Sequence, residues 1–195
     1  LEGVWTKFHS NGFPSSIISY HNGKKTGPSM RIGVDGYVEE LATYKDDILH
    51  GPNRTYYKGA RIEREFNYKD GIEDGIRKLF YSDAGIQEEA MIRNGKREGK
   101  TTWYYKNGKV AVIYMYKNNE INGRALSYNE KGILTSEGDF VQGKEEGVWK
   151  TYNDNGLLIE EGLYRNGLKQ GSWKTYNENG ELFQNVIYEK GEPAR

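Results

Sequence analysis

Between glycine-rich polar stretches, the chain runs in segments of about seven to ten residues rich in Tyr, Trp, Val, Ile and Thr. Those residue types favour a pleated, half-covered surface, so each segment is predicted to be a strand. The segments recur with a fixed period. Gly3, Gly27, Gly51, Gly75, Gly99, Gly123, Gly147 and Gly171 are spaced by 24 residues without insertion. Each glycine serves as the origin of a unit, and other positions are given as offsets from it. Offset five holds Phe8, Ile32, Tyr56, Phe80, Tyr104, Tyr128, Tyr152 and Tyr176. Offset seventeen holds Tyr20, Tyr44, Tyr68, Ile92, Tyr116, Phe140, Tyr164 and Tyr188. Offset eleven is aliphatic after Pro14: Val38, Ile62, Ile86, Val110, Leu134, Leu158 and Leu182.

Turn residues sit between the columns. Offset nine or ten is glycine in every unit, except that Gly59 arrives one place early, and offset twenty is glycine or its substitutes Asp47 and Asn119. Asn and Asp also tolerate positive φ, so the substitutes obey the same physics. Asn107-Gly108, Asn155-Gly156 and Asn179-Gly180 predict type I′ hairpin turns. Only Val38–Tyr44, taken alone, would pass as helix, and the repeat frame overrules it, because Ile17–Tyr20 and Asn185–Tyr188 fill the same offsets elsewhere. The expected fold is therefore all-β: tandem 24-residue β-hairpin repeats forming one elongated, twisted antiparallel meander. Residues 1–195 are expected to be a single array of eight units, with the aromatic columns as cross-strand ladders. The polar tail 192–195 reads as a sheet-edge terminator.

Composition narrows the function classes. Glycine numbers 25 and tyrosine 16 of 195 residues while aliphatics are thin, which suits a thin structure with half-covered rings. Lys+Arg and Asp+Glu both number 28, so no global field exists for phosphate binding and no nucleic-acid partner is expected. The absence of cysteine excludes disulfides and thiolate chemistry. No apolar run is long enough to span a membrane as a helix. The chain starts at Leu1 with Gly3 already opening a unit, which suggests trimming, so a signal peptide or lipid anchor would be invisible and the compartment is left open.

Tyr164 through Gly180, including Asn166-Gly167-Leu168-Lys169-Gln170-Gly171-Ser172-Trp173-Lys174-Thr175-Tyr176, closely resembles the MORN repeat in its bacterial variant. That pattern runs Tyr-x-x-Gly-x-x-x-Gly-x-Trp-x-x-Tyr-x-x-x-Gly. Tyr20, Gly23 and Gly27 match its first half, as do Glu137 through Gly147 with Phe140 for Tyr. The Trp position is kept as Trp5, Trp149 and Trp173, and elsewhere is Ser29, Asn53, Arg77, Thr101 and Ala125. The resemblance implies scaffold, self-association or lipid-binding roles, and bacterial variants are often labelled antitoxin or immunity components. A phosphatidylinositol-phosphate kinase label carried over through such repeats would be a mis-transfer, because the repeats leave no residues for a kinase domain.

Candidate chemistry is sparse. His9, His21 and His50 lack metal-ligand spacing, and no nucleophile elbow, P-loop or dinucleotide fingerprint occurs. No cofactor or catalytic residue is expected. The carboxylates at offset fourteen, Glu65, Glu89, Glu137 and Glu161, repeat in register, whereas an acid–base pair needs two different environments. Cations at offset eighteen (Lys45, Lys69, Arg93, Lys117 and Arg165) have two readings: a solvated shoulder, or a surface for anionic headgroups or an acidic protein. Trp5, Trp103, Trp149 and Trp173 likewise read either as sheet packing or as partner contacts on the second face of a single-layer sheet. The leading expectation is a protein-binding array with an unidentified partner. Anionic lipid, or self-association without a defined oligomeric state, is the alternative.

Overall fold

A computed structural model describes residues 1–194, and no helix occurs among them. The chain forms two compact units, Leu1–Lys96 and a second beginning at Arg97. The first holds β1 (Gly3–Phe8), β2 (Pro14–His21), β3 (Lys24–Ile32), β4 (Val38–Lys45), β5 (Ile48–Tyr56), β6 (Ile62–Lys69), β7 (Ile72–Glu73), β8 (Gly75–Phe80) and β9 (Ile86–Arg93). The second holds β10 (Lys96–Tyr104), β11 (Val110–Lys117), β12 (Glu120–Tyr128), β13 (Leu134–Val141), β14 (Lys144–Tyr152), β15 (Leu158–Arg165), β16 (Leu168–Tyr176), β17 (Leu182–Glu189) and β18 (Glu192–Pro193). Within each unit, strands pair antiparallel with their neighbours in sequence. β6 pairs with both β7 and β8, which are one strand interrupted at Asp74. The helical alternative at Val38–Tyr44 is absent, since these residues form β4.

The two turns of each repeat differ, which corrects one sequence expectation. At Asn155-Gly156 only the glycine has positive φ (83°), so this turn is not type I′. The Gly156 N–H donates to Asn153 O at 2.9 Å and the Asn153 N–H to Leu157 O at 2.9 Å. That is the pattern of a type I turn followed by a left-handed residue. The cause lies three residues before the glycine. Asn153 Oδ1 accepts the N–H groups of Asn155 and Leu157, both at 3.0 Å, and holds the right-handed turn. Gly108 and Gly180 behave likewise, with φ of 81° and 79°. True type I′ geometry occurs at offsets nineteen and twenty, where both residues have positive φ: 51° and 81° at Asn22-Gly23, 51° and 80° at Asn166-Gly167.

Each unit has its densest packing in one cross-strand row, where offset two faces offset fifteen. In the second unit the row runs Thr101, Tyr114, Ala125, Gly138, Trp149, Gly162, Trp173, Val186. From Gly138 to Trp173 glycine and tryptophan alternate. A Cβ at Gly138 would lie 2.1 Å from Trp149 Cδ2, and one at Gly162 2.1 Å from Trp173 Cδ2, so each indole lies flat against a glycine backbone. Trp173 is 4% exposed although its unit has no second layer over it. In the first unit the row runs Trp5, Ile18, Ser29, Ala42, Asn53, Phe66, Arg77, Ala90. Asn53 is buried there and donates to Glu40 Oε1 at 2.7 Å, which satisfies its amide. At two of the five positions without Trp the row gives a reason: Ala125 stands beside Tyr114, and Asn53 beside Phe66, where a second large ring would overfill the site.

Two stability predictions follow from these positions. Gly162→Ala should destabilise by about 1–3 kcal/mol through overpacking, and by less than half of that in a Trp173→Ala background. Equal penalties in both backgrounds, read from urea midpoints, would disprove the glycine seat. Ala84 holds the left-handed turn position at φ 74°, beside Gly85, so Ala84→Gly should stabilise by about 1 kcal/mol, checked by the same titration.

Candidate binding surface

Strand alternation gives each sheet a ladder face and an opposite face. In the second unit the ladder face carries a chain of rings in edge-to-face contact. Trp103 meets Tyr114 (5.7 Å between centroids), Tyr114 meets Phe140 (6.0 Å), and Phe140 meets Trp149 (5.2 Å). Trp149 then meets Tyr164 (6.0 Å), Tyr164 meets Trp173 (4.9 Å), and Trp173 meets Tyr188 (6.3 Å). Such pairs contribute about 0.5–1.5 kcal/mol each beyond area burial. Trp103, Trp149 and Trp173 therefore share one face with the offset-seventeen rings and interlock with them. The indole N–H of Trp149 donates to Asp139 O (3.2 Å) and that of Trp173 to Leu163 O (3.0 Å). Trp5 occupies the same offset on β1 but is 47% exposed. The offset-seventeen rings Tyr20, Tyr44, Tyr68, Tyr116, Phe140, Tyr164 and Tyr188 are all half-buried. Burial holds the phenols of Tyr44, Tyr68 and Tyr164 above the ordinary tyrosine range.

Two columns that the sequence reading passed over complete the ladder face and its turns. Cations two residues before the origin glycine lie over the rings: Lys169 Nζ is 3.8 Å from the Trp173 centroid, and Lys25 Nζ 5.1 Å from that of Tyr44. Lys169 is also held by Glu160 at 2.9 Å. One residue before the glycine stands a side-chain acceptor for the type I′ turn twenty residues later. In the first unit Glu2 accepts from Asn22 N–H (2.9 Å) and Asp74 from Asn94 N–H (3.0 Å). In the second, Glu98 accepts from Asn118 (2.9 Å), Asn122 from Gln142 (3.2 Å), Glu146 from Asn166 (2.8 Å) and Gln170 from Lys190 (3.2 Å). The signal was in the sequence, as a column of acceptors at constant spacing: Glu2, Thr26, His50, Asp74, Glu98, Asn122, Glu146 and Gln170.

The opposite face carries the offset-fourteen carboxylates, which alternate with cations at offset three. In the first unit Arg54, Glu65, Lys78 and Glu89 follow one another across the strands, with Arg54 bridging Glu65 and Lys78 3.1 Å from Glu89. In the second unit the order is Glu137, Lys150, Glu161, Lys174. Glu137 also pairs with Arg124. Two offset-five rings join this face: Tyr152 donates to Glu137 Oε1 at 2.6 Å and Tyr176 to Glu161 Oε1 at 2.7 Å. Tyr56, Phe80, Tyr104 and Tyr128 are half-buried, while Phe8 on β1 is exposed. Beside the ionic row lie exposed aliphatics, Val148 (54%) and Ile187 (50%), around a shallow depression lined by Glu161, Leu163, Ser172 and Lys174.

The offset-eighteen cations Lys45, Lys69, Arg93, Lys117 and Arg165 are all exposed at the ends of strands that enter type I′ turns. In the first unit Lys45 faces Ile48 and Lys69 faces Ile72 across the turn, and both isoleucines are exposed. Among the described residues no group of three or more His, Cys, Asp or Glu could hold a metal ion, and no helix is long and apolar enough to cross a membrane. His9 instead contacts Ile32 O at 2.9 Å, His21 contacts Glu2 at 2.8 Å, and His50 contacts Asp70 at 3.2 Å.

The MORN repeat variant family matches residues 97–118, 145–166 and 169–190. Each match begins two residues before an origin glycine, at the position of Arg97, Glu145 and Lys169. A comparison with curated proteins returned no match. MORN repeats are in general modules of protein or membrane interaction.

The Tyr152–Glu137 contact makes a pH prediction. Burial, followed by the hydrogen bond to Glu137, pushes the Tyr152 phenol up to about 12. The bond to Tyr152 is the largest influence lowering Glu137. A raised folded value for Tyr152 means that its contribution is fully present below pH 10 and is lost as pH rises toward 12. For Glu137 the contribution is present above the ordinary carboxylate range and is lost as pH falls below it. Tyr152→Phe should therefore flatten the alkaline part of the wild-type stability profile, measured by urea unfolding from pH 6 upward. An unchanged alkaline slope would show that the pair does not couple to folding.

Proposed function

We propose that the chain, as one array of eight MORN-type repeats, is a non-catalytic module that binds another protein. The observation that supports this is the opposite face of the second unit, where Val148 and Ile187 stand exposed beside an alternating-sign ionic row. Aliphatic side chains in water next to balanced charge suit a protein partner, which buries the former and orders itself against the latter. Nucleic acid would want a field of one sign. Trp149 and Trp173 contribute to the array's rigidity, since their indoles are spent on glycine seats and backbone carbonyls. A toxin held inactive is one partner class consistent with the repeat resemblance; a scaffolded partner is another.

The test compares co-purification by the tagged array with that by Val148→Asp/Ile187→Asp, with partners identified by mass spectrometry and folding checked by circular dichroism. Capture of a stoichiometric partner should fall about tenfold or more in the folded double variant. Equal capture would remove this face from the proposal, and turnover of a metabolite by the wild-type array would end the non-catalytic reading.

A second reading has its own observation. Lys45 with Ile48, and Lys69 with Ile72, put a cation and an exposed aliphatic side by side at successive turns. That pairing suits the interface of an anionic bilayer, where each cation adds about 1 kcal/mol. Charge reversal at Lys45, Lys69 and Arg93 should abolish salt-sensitive sedimentation with phosphatidylserine vesicles, and unchanged sedimentation would refute it.

A further inference from the structure

The ladder face of the second unit contains its own example of a held ammonium. Lys169 stands two residues before an origin glycine and four before Trp173. Its Nζ lies 3.8 Å from the Trp173 centroid and 5.4 Å from that of Tyr188, and Glu160 Oε1 holds it at 2.9 Å. The Gly162 backbone occupies the other face of the same indole. Trp173 is thus covered on both sides and is 4% exposed. The contact is favourable because the ring face is negative and the carboxylate beside it neutralises the charge. Trp103 is served in the same way by Arg97, 5.9 Å from its centroid.

Between these two, Trp149 has the same frame without the cation. It rests on Gly138, donates its N–H to Asp139 O at 3.2 Å, and meets Tyr164 at 6.0 Å as Trp173 meets Tyr188 at 6.3 Å. The residue four before it is Glu145 in place of a lysine, and Ser136 stands where the next repeat has Glu160. Glu145 pairs with Phe140 across strands as Lys169 pairs with Tyr164, so the two residues hold equivalent places on the ladder face. After burial, the largest cause, the charge of Glu145 helps to raise the Tyr164 phenol, which places the carboxylate near that hydroxyl. Among the described residues no cation lies over Trp149 and none pairs with Glu145. Trp149 is half-buried where Trp173 is buried.

We propose that the open side of the Trp149 indole, with Glu145 and Tyr164 beside it, is a binding site for a lysine side chain of another protein. The arrangement is that of Lys169 on Trp173 with the charges divided differently. In one repeat the chain supplies the ammonium itself; in the other it supplies ring and carboxylate and leaves the ammonium to a partner. A lysine suits the site because its apolar stem lies along a ring while its head reaches a carboxylate. An anionic group would meet Glu145 and be repelled. The site is on the ladder face, whereas Val148, the residue before Trp149 on the same strand, belongs to the opposite face, so the two surfaces are independent.

The probe is the peptide acetyl-Gly-Lys-Gly-amide, titrated into the full chain while the tryptophan ring signals are followed by NMR. The Trp149 signals should shift to saturation, while those of Trp103 and Trp173 stay in place under Arg97 and Lys169. The same peptide acetylated on its lysine carries no charge and should bind about fivefold or more weakly. Glu145→Lys should supply the ammonium from within and abolish the Trp149 response, whereas Lys169→Glu should open the neighbouring site so that Trp173 responds too. Unchanged dispersion of the other indole signals shows that each variant is folded, and the comparison of the two peptides needs no variant. The Val148→Asp/Ile187→Asp variant should bind the lysine peptide unchanged, which separates this inference from the protein-binding face proposed above. Equal binding of the two peptides, a Trp149 response that survives Glu145→Lys, or no saturable shift would overturn the proposal. So would a Trp149 response to phosphatidylethanolamine vesicles but not to the peptide, or one to protein concentration alone, since these would place a lipid amine or a second copy on the ring.

Discussion

Everything in this structure answers to one constraint: within each unit the sheet has no second layer to cover its side chains. An ordinary sandwich buries an aromatic ring between two sheets. Here the ring must find cover sideways, from the neighbouring strands of its own sheet, at a spacing of about 4.8 Å. An indole laid flat on a glycine backbone solves that problem, because the missing Cβ leaves a slot one ring thick. The next ring then meets its edge, and Trp173 reaches near-complete burial on a single layer. The cover is mutual between neighbouring repeats, so each hairpin is stable only beside another. That is the nearest-neighbour coupling of linear repeat arrays.

Glycine serves this arrangement in two unrelated ways. Gly138 and Gly162 are needed for space, and neither has a positive φ. Gly75 and Gly123, in the origin column, have φ of 119° and 114° and are needed for backbone conformation. Both kinds appear as the same letter in the sequence, and only the period separates them. The origin glycines lie where register with the preceding strand is lost, as between Glu137/Lys150 and Asp139/Glu146. At six origins (Glu2, Asp74, Glu98, Asn122, Glu146 and Gln170) the side-chain acceptor just before the glycine then secures the type I′ turn of the following hairpin, so a bend in one strand and a turn in another are tied by a single hydrogen bond.

Most of the architecture was legible because the repeat multiplied weak local signals. Val38–Tyr44 has a helical composition, yet the offsets it shares with seven other segments identify a strand, which is what β4 is. The ring columns at offsets five and seventeen were equally visible, but their faces were not. The two columns stand on different strands, and only the cross-strand register shows that Tyr152 shares a face with Glu137 and not with the ladder. The Asn-Gly turns were misread for a related reason. The dipeptide favours type I′, but the Asn153 side chain two residues earlier imposes a right-handed turn, and dipeptide reasoning does not see it. For the surface residues, the sequence named cations and tryptophans without their environment. It could not tell that Trp149 is seated on Gly138 while Trp5, identical in offset, is not.

That difference shows where distinct chemistry can arise in a periodic molecule. A repeated position sees a repeated environment, so the carboxylates of the ionic row alternate with cations and neutralise one another instead of acquiring the divergent acidities that acid–base catalysis uses. Individual behaviour requires a break in the period, and the breaks are few. One is the aliphatic pair Val148 and Ile187, at offsets that hold Arg124 one repeat before Val148 and Asp139 two repeats before Ile187. Another is the cation–isoleucine shoulder at the turns of the first unit. Each is a surface left without the neighbour that its column otherwise supplies, and a surface short of a neighbour is best completed by binding one.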